Sequence, residues 1–147
     1  MTPLADLTYA DAYFADSLNL ADWESYTYEQ QNIALNTATR LINNLAFKGY
    51  KTDEDQENEY PRNDEDTPEA IQSACSELAL ALLKDHDLDS QNSQSRVTSE
   101  SIDNKIKVSY DTNTIQEHIR HGIISYQAWL YLKPYLIAAG TINLIRV

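Results

Sequence analysis

The side chains best suited to chemistry in this chain are its carboxylates. Asp53, Asp55 and Glu57 alternate along one stretch, and Asp85, Asp87 and Asp89 along another. Alternating oxygens could grip a hard cation such as calcium. An EF-hand loop also needs Gly at its sixth place and a bidentate Glu at its twelfth. Counted from Asp53 those places hold Asn58 and Asp64; counted from Asp85 they hold Ser90 and Arg96. Both series therefore read as solvated acidic loops. His118 and His121 stand three apart and could share a helix face. With no Cys nearby they lack the four ligands of a structural zinc site and read as surface histidines. The lone Cys75 lies in an apolar helical run and reads as a small buried hydrophobe, with no disulfide partner. No glycine-rich phosphate loop, nucleophile elbow or His-Glu-x-x-His motif occurs. The expectation is a chain with no catalytic residues, no metal and no cofactor.

The elements that position these residues are mostly helices. The 147 residues include only three glycines and four prolines. One domain with its own core is expected at this length. Thr8-Tyr9-Ala10-Asp11 resembles a helix start, after which Tyr9, Ala12 and Tyr13 share a face. Thr27-Tyr28-Glu29-Gln30 forms a capping box. Behind it Ala34, Ala38, Leu41, Ile42 and Leu45 recur at helical spacing, predicting a helix from Tyr28 to about Leu45. Trp23, just before the cap, is placed to close over the core. Residues 48–66 read as a loop, long enough to have a purpose. Thr67-Pro68-Glu69 opens the next helix, with Ile71, Ala74, Cys75, Leu78 and Leu82 on its inner stripe. Ala79, Leu80, Ala81 and Leu83 make its second half apolar nearly all round, which marks the central helix.

Asp85 to Arg96 is rich in Asp, Ser, Gln and Asn and reads as a linker. Val97–Ile102 and Lys105–Tyr110 flank Asp103-Asn104, a pair suited to a tight hairpin turn. In that register Glu100 faces Lys107, a pair contributing ~0.2–1 kcal/mol. A lone hairpin is marginal in water, so Glu100, Ile102, Lys105, Ile106, Lys107 and Val108 need the C-terminal tail, a helix to pack on or strands of a neighbouring copy. Ile115, Ile119, Ile123 and Ile124, then Trp129, Leu130 and Leu132, predict one or two helices. Gly122 weakens the middle, and Pro134 ends the last one near Leu132.

The segment 140–147 is the most distinctive. Ile142, Asn143, Leu144, Ile145, Arg146 and Val147 make an apolar, β-branched strand. Left loose, such a strand invites aggregation. It is either a strand in the chain's own sheet or an arm that docks on another protein, and the rest of the sequence favours the arm. The expected organisation is mainly α: a helical bundle over 1–90, a hairpin over 97–110, helices over 112–139 and the arm over 140–147.

Charge narrows the partners. Residues 1–99 carry a balance of −13 and residues 100–147 of +1, giving a net −12. A field of that sign repels phosphate. Ten tyrosines and two tryptophans could stack bases, but without interleaved Lys and Arg they favour packing. No run approaches the ~18 apolar residues of a membrane span, and Met1-Thr2-Pro3-Leu4 shows no signal peptide.

An ordered set of motifs runs along the chain: Tyr9-Ala-Asp-Ala-Tyr13-Phe14, Trp23, Ala38-Thr39-Arg40, Lys48-Gly49, Tyr60-Pro61-Arg62, Pro68, Ile71, Ala74 and Glu77-Leu78-Ala79-Leu80. Val97 to Glu100, Val108 to Tyr110, Leu132-Lys-Pro134-Tyr135-Leu136 and a final Ile-Arg146-Val complete it. The set resembles the phage head–tail adaptor proteins, many of which carry the label DnaT-like single-stranded DNA-binding protein. Tyr60 stands where that family often has Trp. The resemblance implies a virion protein, assembled in the host cytoplasm, that forms a dodecameric ring below the portal. Its partners would be the portal, a tail protein, further copies of itself and passing double-stranded DNA that it does not bind specifically. The acids Asp53, Glu54, Asp55, Glu57 and Glu59 would face the DNA channel or the tail. The competing readings are a single-strand DNA-binding or primosome-associated protein and a small cytosolic regulatory module.

Overall fold

The computed structural model describes residues 2–92 and 116–137, with backbone alone over 86–92. Six α-helices occur among these residues: α1 (Leu7–Ala15), α2 (Leu20–Glu24), α3 (Tyr28–Asn43), α4 (Glu69–Asn92), α5 (Glu117–Arg120) and α6 (Tyr126–Leu132). A 3-10 turn, Lys133–Tyr135, follows α6 directly. The described residues contain no extended strand, only two isolated bridges, Phe47 with Leu136 and Lys51 with Arg62. The architecture is mainly α. The hairpin residues Glu100, Ile102, Lys105, Ile106, Lys107 and Val108 lie outside the described residues, and so does the arm from Ile142 to Val147.

Helix α3 forms where its cap predicts. The Thr27 hydroxyl accepts from Gln30 N at 3.2 Å, and the Gln30 side chain accepts from Thr27 N at 2.9 Å. Two of the orphan N–H groups at a helix start are thereby satisfied. Helix α1 begins earlier than Thr8. Asp6 caps it, accepting from Tyr9 N at 2.8 Å, and Thr8 becomes a helical residue. Its buried residues are Ala10 and Phe14, whereas Ala12 is exposed. The short α2 carries no sequence signal strong enough to announce it. It delivers Trp23, 1% exposed, onto Phe14 with ring centroids 4.7 Å apart.

Helix α4 is the central one. It packs most extensively against α3 and α6, and also meets α1. Ile71, Ala74, Cys75 and Leu78 are fully buried, and Ala79 and Leu80 with them. Its first helical residue is Glu69, and the Pro68 carbonyl accepts the opening bonds from Ile71 N and Gln72 N. The reading of 85–96 as a linker is corrected over 85–92, since α4 runs on to Asn92, while 93–96 lie outside the described residues. Asp, Ser and Asn each cost a helix only a few tenths of a kcal/mol, and a helix once nucleated propagates until something stops it. No Gly or Pro occurs between Pro68 and Gly122, so the composition that resembles a loop does not break this helix.

Polar bonds stitch the helices where apolar contact alone would let them slide. Tyr9 Oη lies 2.8 Å from Ser73 Oγ, and Tyr13 Oη donates to Glu77 at 2.8 Å while meeting Tyr131 Oη at 3.2 Å. Thr39 Oγ1 accepts from Leu4 N at 2.9 Å and donates to the Leu35 carbonyl at 2.8 Å. Cys75 lies beside this pair with its Sγ 3.5 Å from Thr39 Oγ1, and burial pushes its thiol pKa up.

Candidate functional site

The loop between α3 and α4 is built around one guanidinium. Arg62 is 8% exposed. Its Nε donates to the Lys48 carbonyl at 3.0 Å. Nη1 donates to the Glu59 carbonyl at 3.2 Å and to Glu59 Oε2 at 2.7 Å. Nη2 donates to the Phe47 carbonyl at 3.4 Å and the Gly49 carbonyl at 2.7 Å. An arginine has five N–H donors, and here each has an acceptor. Three consecutive carbonyls, 47 to 49, are thus fastened to the stretch 59–62. The Lys51–Arg62 bridge and the Thr52 N to Pro61 carbonyl bond of 3.2 Å close the loop's neck.

The neck turns tightly at Gly49, whose φ is +84°. A Cβ there would collide with the side chain of Asn63, whose Oδ1 accepts from Tyr50 N at 3.2 Å. Asn63 and Asp64 themselves hold φ near +58° and +59°, a region that short polar side chains tolerate. A Gly49→Ala variant is expected to lose about 1–2 kcal/mol of stability, from both the left-handed backbone and the displaced Asn63. Urea unfolding measures it.

Beneath the neck lies an aromatic seat. Phe47 and Tyr60 pack edge to face with centroids 5.0 Å apart, and Tyr60 meets Tyr135 at 6.4 Å. The Tyr60–Pro61 peptide is cis. Burial, joined by the neighbouring Tyr135 and partly offset by Arg62, pushes the Tyr60 phenol up to about 12. Its folded-state pKa lies above the ordinary value of 10.0. The seat's stability is therefore intact below pH 10 and falls as pH rises toward 12. Stability measured against pH, with absorbance at the phenolate band to follow ionisation, is expected to show that loss, and a Tyr60→Phe variant to reduce it.

The chain's last described residues dock on this seat. Lys48 N donates to the Tyr135 carbonyl at 2.9 Å, and Ile137 N donates to the Ala46 carbonyl at 3.0 Å, framing the Phe47–Leu136 bridge. Lys48 Nζ adds a bond to the Pro134 carbonyl at 3.2 Å. As expected, α6 ends at Leu132 ahead of Pro134. Lys48-Gly49, Tyr60-Pro61-Arg62 and Leu132-Lys-Pro134-Tyr135-Leu136, separated by up to 80-odd residues in sequence, therefore form one assembly. It fixes the backbone at Ile137, from which the segment toward Ile142, Asn143, Leu144, Ile145, Arg146 and Val147 departs. Sequence spacing gave no hint that these three stretches meet.

The acidic turn projects from the other end of the same neck. Asp53 Oδ1 accepts from Asp55 N at 3.0 Å, and Gln56 Oε1 accepts from Asp53 N at 3.1 Å. Gln56 Nε2 donates to the Asn58 and Pro61 carbonyls, both at 2.8 Å. This is a self-bonded turn that leaves Asp53, Glu54, Asp55 and Glu57 exposed. Glu59 does not belong with them, because its carboxylate is committed to Arg62. No group of three or more His, Cys, Asp or Glu side chains converges as a metal site among the described residues.

Of the two histidines read as surface residues, His121 is exposed and His118 is not. His118 is 5% exposed, with Nδ1 2.7 Å from the Ile123 carbonyl and Nε2 2.6 Å from Gln116 Oε1. Gly122, at φ +82°, turns the chain after α5 so that Ile123 comes back onto that ring. His121 is exposed and stacks on Trp129 at 5.2 Å. The two rings serve separate contacts. No described helix is long and apolar enough to cross a membrane.

No curated protein and no solved structure matches this chain. A family model described as "Putative DnaT-like ssDNA binding protein" matches residues 4–147. That match spans nearly the whole chain, which therefore belongs to this family.

Proposed function

We propose that the chain is a structural virion protein, a head-to-tail adaptor that forms a ring below the portal, extends the DNA channel and offers the tail its attachment surface. The observation that carries this reading is the Arg62 assembly. It gives the apolar segment 140–147 a rigid point of departure at Ile137, which is what a gripping arm requires. Extended, the six residues from Ile142 to Val147 reach about 20 Å. Burying Ile142, Leu144, Ile145 and Val147 on a portal contributes ~1.5–3 kcal/mol each, before the cost of ordering the arm. A ring repeats the grip in every subunit, so avidity turns modest contacts into lasting attachment. Glu100, Ile102, Lys105, Ile106, Lys107 and Val108 would join one copy to the next. The exposed acids of the 53–57 turn would face passing duplex and keep it from adhering, or would meet the tail.

A second reading, single-strand DNA binding, is favoured by the family's description. It is disfavoured by the net charge of −12, since backbone binding needs cations. One experiment separates the two. Full-length protein and a version ending at Gly140 are each captured on purified portal rings and on labelled oligo-dT at several salt concentrations. The adaptor reading expects the full-length chain to bind rings with ring stoichiometry and the truncation to lose at least 100-fold in affinity, with neither binding DNA. Salt-dependent oligonucleotide binding without ring capture would replace it with the second reading.

A further inference from the structure

Helix α6 is buried on one side only. Ala128, Trp129 and Leu132 pack inward, whereas Tyr126 and Leu130, one turn apart, stand 60% and 46% exposed. A groove of about 300 Å³ runs along this face beside α5, lined by Tyr126, Trp129 and Leu130 among others. Glu117 and Lys133 also line it, paired loosely at 3.8 Å. Arg120 on α5 is exposed and makes no ion pair among the described residues. Glu117 against Arg120 and Lys133 gives residues 116–137 a balance of +1. An apolar groove with cations beside it suits an occupant that is apolar and acidic.

The same chain carries such an occupant elsewhere. Residues 1–39 hold six acids and no Lys or Arg. Within them the turn between α1 and α2 presents Leu18 fully exposed. That turn is fixed by three bonds. Ser17 N donates to the Phe14 carbonyl at 3.0 Å, Leu20 N to the Ser17 carbonyl at 3.3 Å, and Asn19 N to Ser17 Oγ at 3.1 Å. Leu18 is therefore held in place before it meets anything, so little ordering is needed on contact. Asp16, exposed beside it, makes no ion pair among the described residues. Ile33 is exposed too, but it lies along α3 and not on a projecting turn.

We propose that Leu18 of one copy enters the α5–α6 groove of a second copy, bringing Asp16 toward Arg120 and Lys133. The two surfaces are different, so the contact is heterologous. It repeats from copy to copy until a ring closes or a filament runs on. One leucine and its turn bury less than the ~1,000 Å² of a lasting pair. The contact therefore holds where copies already stand side by side and repetition strengthens it. On the adaptor reading that setting is the ring below the portal, and only this last step rests on that reading. The contact itself does not depend on the segment 140–147.

The test mixes full-length Leu18→Cys with full-length Leu130→Cys in a glutathione redox buffer. One protein is ¹⁵N-labelled, so mass separates the mixed disulfide from the two like pairs. The native Cys75 is buried and stays out of the exchange. The expected result is a mixed species about fivefold or more above the yield of random collision. Ile33→Cys in place of Leu18→Cys stays at the random yield. Tyr126→Ser in the Leu130→Cys protein, and Asp16→Lys in the Leu18→Cys protein, are both at exposed positions. Each lowers the mixed yield about threefold or more with circular dichroism unchanged. A mixed species at the random yield overturns the proposal. So do an excess of like pairs, an Ile33→Cys yield equal to that of Leu18→Cys, or a mixed yield left unchanged by either substitution. Portal capture plays no part in this readout, so failure here and failure of the adaptor reading are distinguishable.

Discussion

Replacing Arg62 with methionine is expected to cost about 3 kcal/mol of stability, the scale for breaking a buried charged pair by removing one partner. Methionine fills much of the volume but donates nothing. The carbonyls of Phe47, Lys48, Gly49 and Glu59 and the Glu59 carboxylate all lose their donor at once. Lysine in the same place keeps the charge but has three donors on one point, so Arg62→Lys should recover only part of the loss. Urea unfolding of the three proteins gives the order arginine, lysine, methionine. The functional consequence follows from the geometry. Once the neck loosens, Lys48 and Ala46 no longer hold Tyr135 and Ile137 in register. On the adaptor reading, capture by portal rings then drops under conditions where helix content by circular dichroism is still intact. Equal stability of Arg62→Met and wild type would mean that water replaces the guanidinium at no cost, and the assembly would not be the anchor described.

Trp23→Ala has the other large effect, an expected loss of about 3–5 kcal/mol. Trp23 is 1% exposed and Phe14 fully buried, with their rings stacked. Removing the indole opens a cavity beside Phe14 and leaves Asp11 without its 2.8 Å donor. The backbone carbonyl of residue 23 still accepts from Gln31, so the entry to α3 keeps its tether and the damage stays in the α1–α2 corner. Trp23→Phe should retain more than half of the stability, because packing rather than the indole bond dominates. Thermal unfolding of both variants measures the difference. A loss of under 1 kcal/mol for Trp23→Ala would place the indole outside the core.

Helices with strong local signals were legible in the sequence. The Thr27–Gln30 box and the spacing of Ala34, Ala38 and Ile42 are local facts, so α3 could be read directly. The near-total apolarity of 78–83 likewise marked α4 as central. Local reading failed where the deciding force was not local. Asp85 to Asn92 has loop composition but no breaker, and the long packed run before it carries the helix through. His118 looks like a surface residue until Gly122 folds Ile123 back over it.

The candidate site shows the same division. Sequence by itself determined the net charge of −12, the acidic turn, the apolar segment 140–147 and the individual motifs Lys48-Gly49, Tyr60-Pro61-Arg62 and Leu132-Lys-Pro134-Tyr135-Leu136. Only the tertiary structure decided that these motifs are one object, and that Glu59 belongs to Arg62 rather than to the acidic turn. The reason is physical. Composition and periodicity report what each stretch prefers alone, whereas a buried guanidinium must find an acceptor for every donor. Those acceptors are backbone carbonyls, which every residue possesses and no sequence pattern marks.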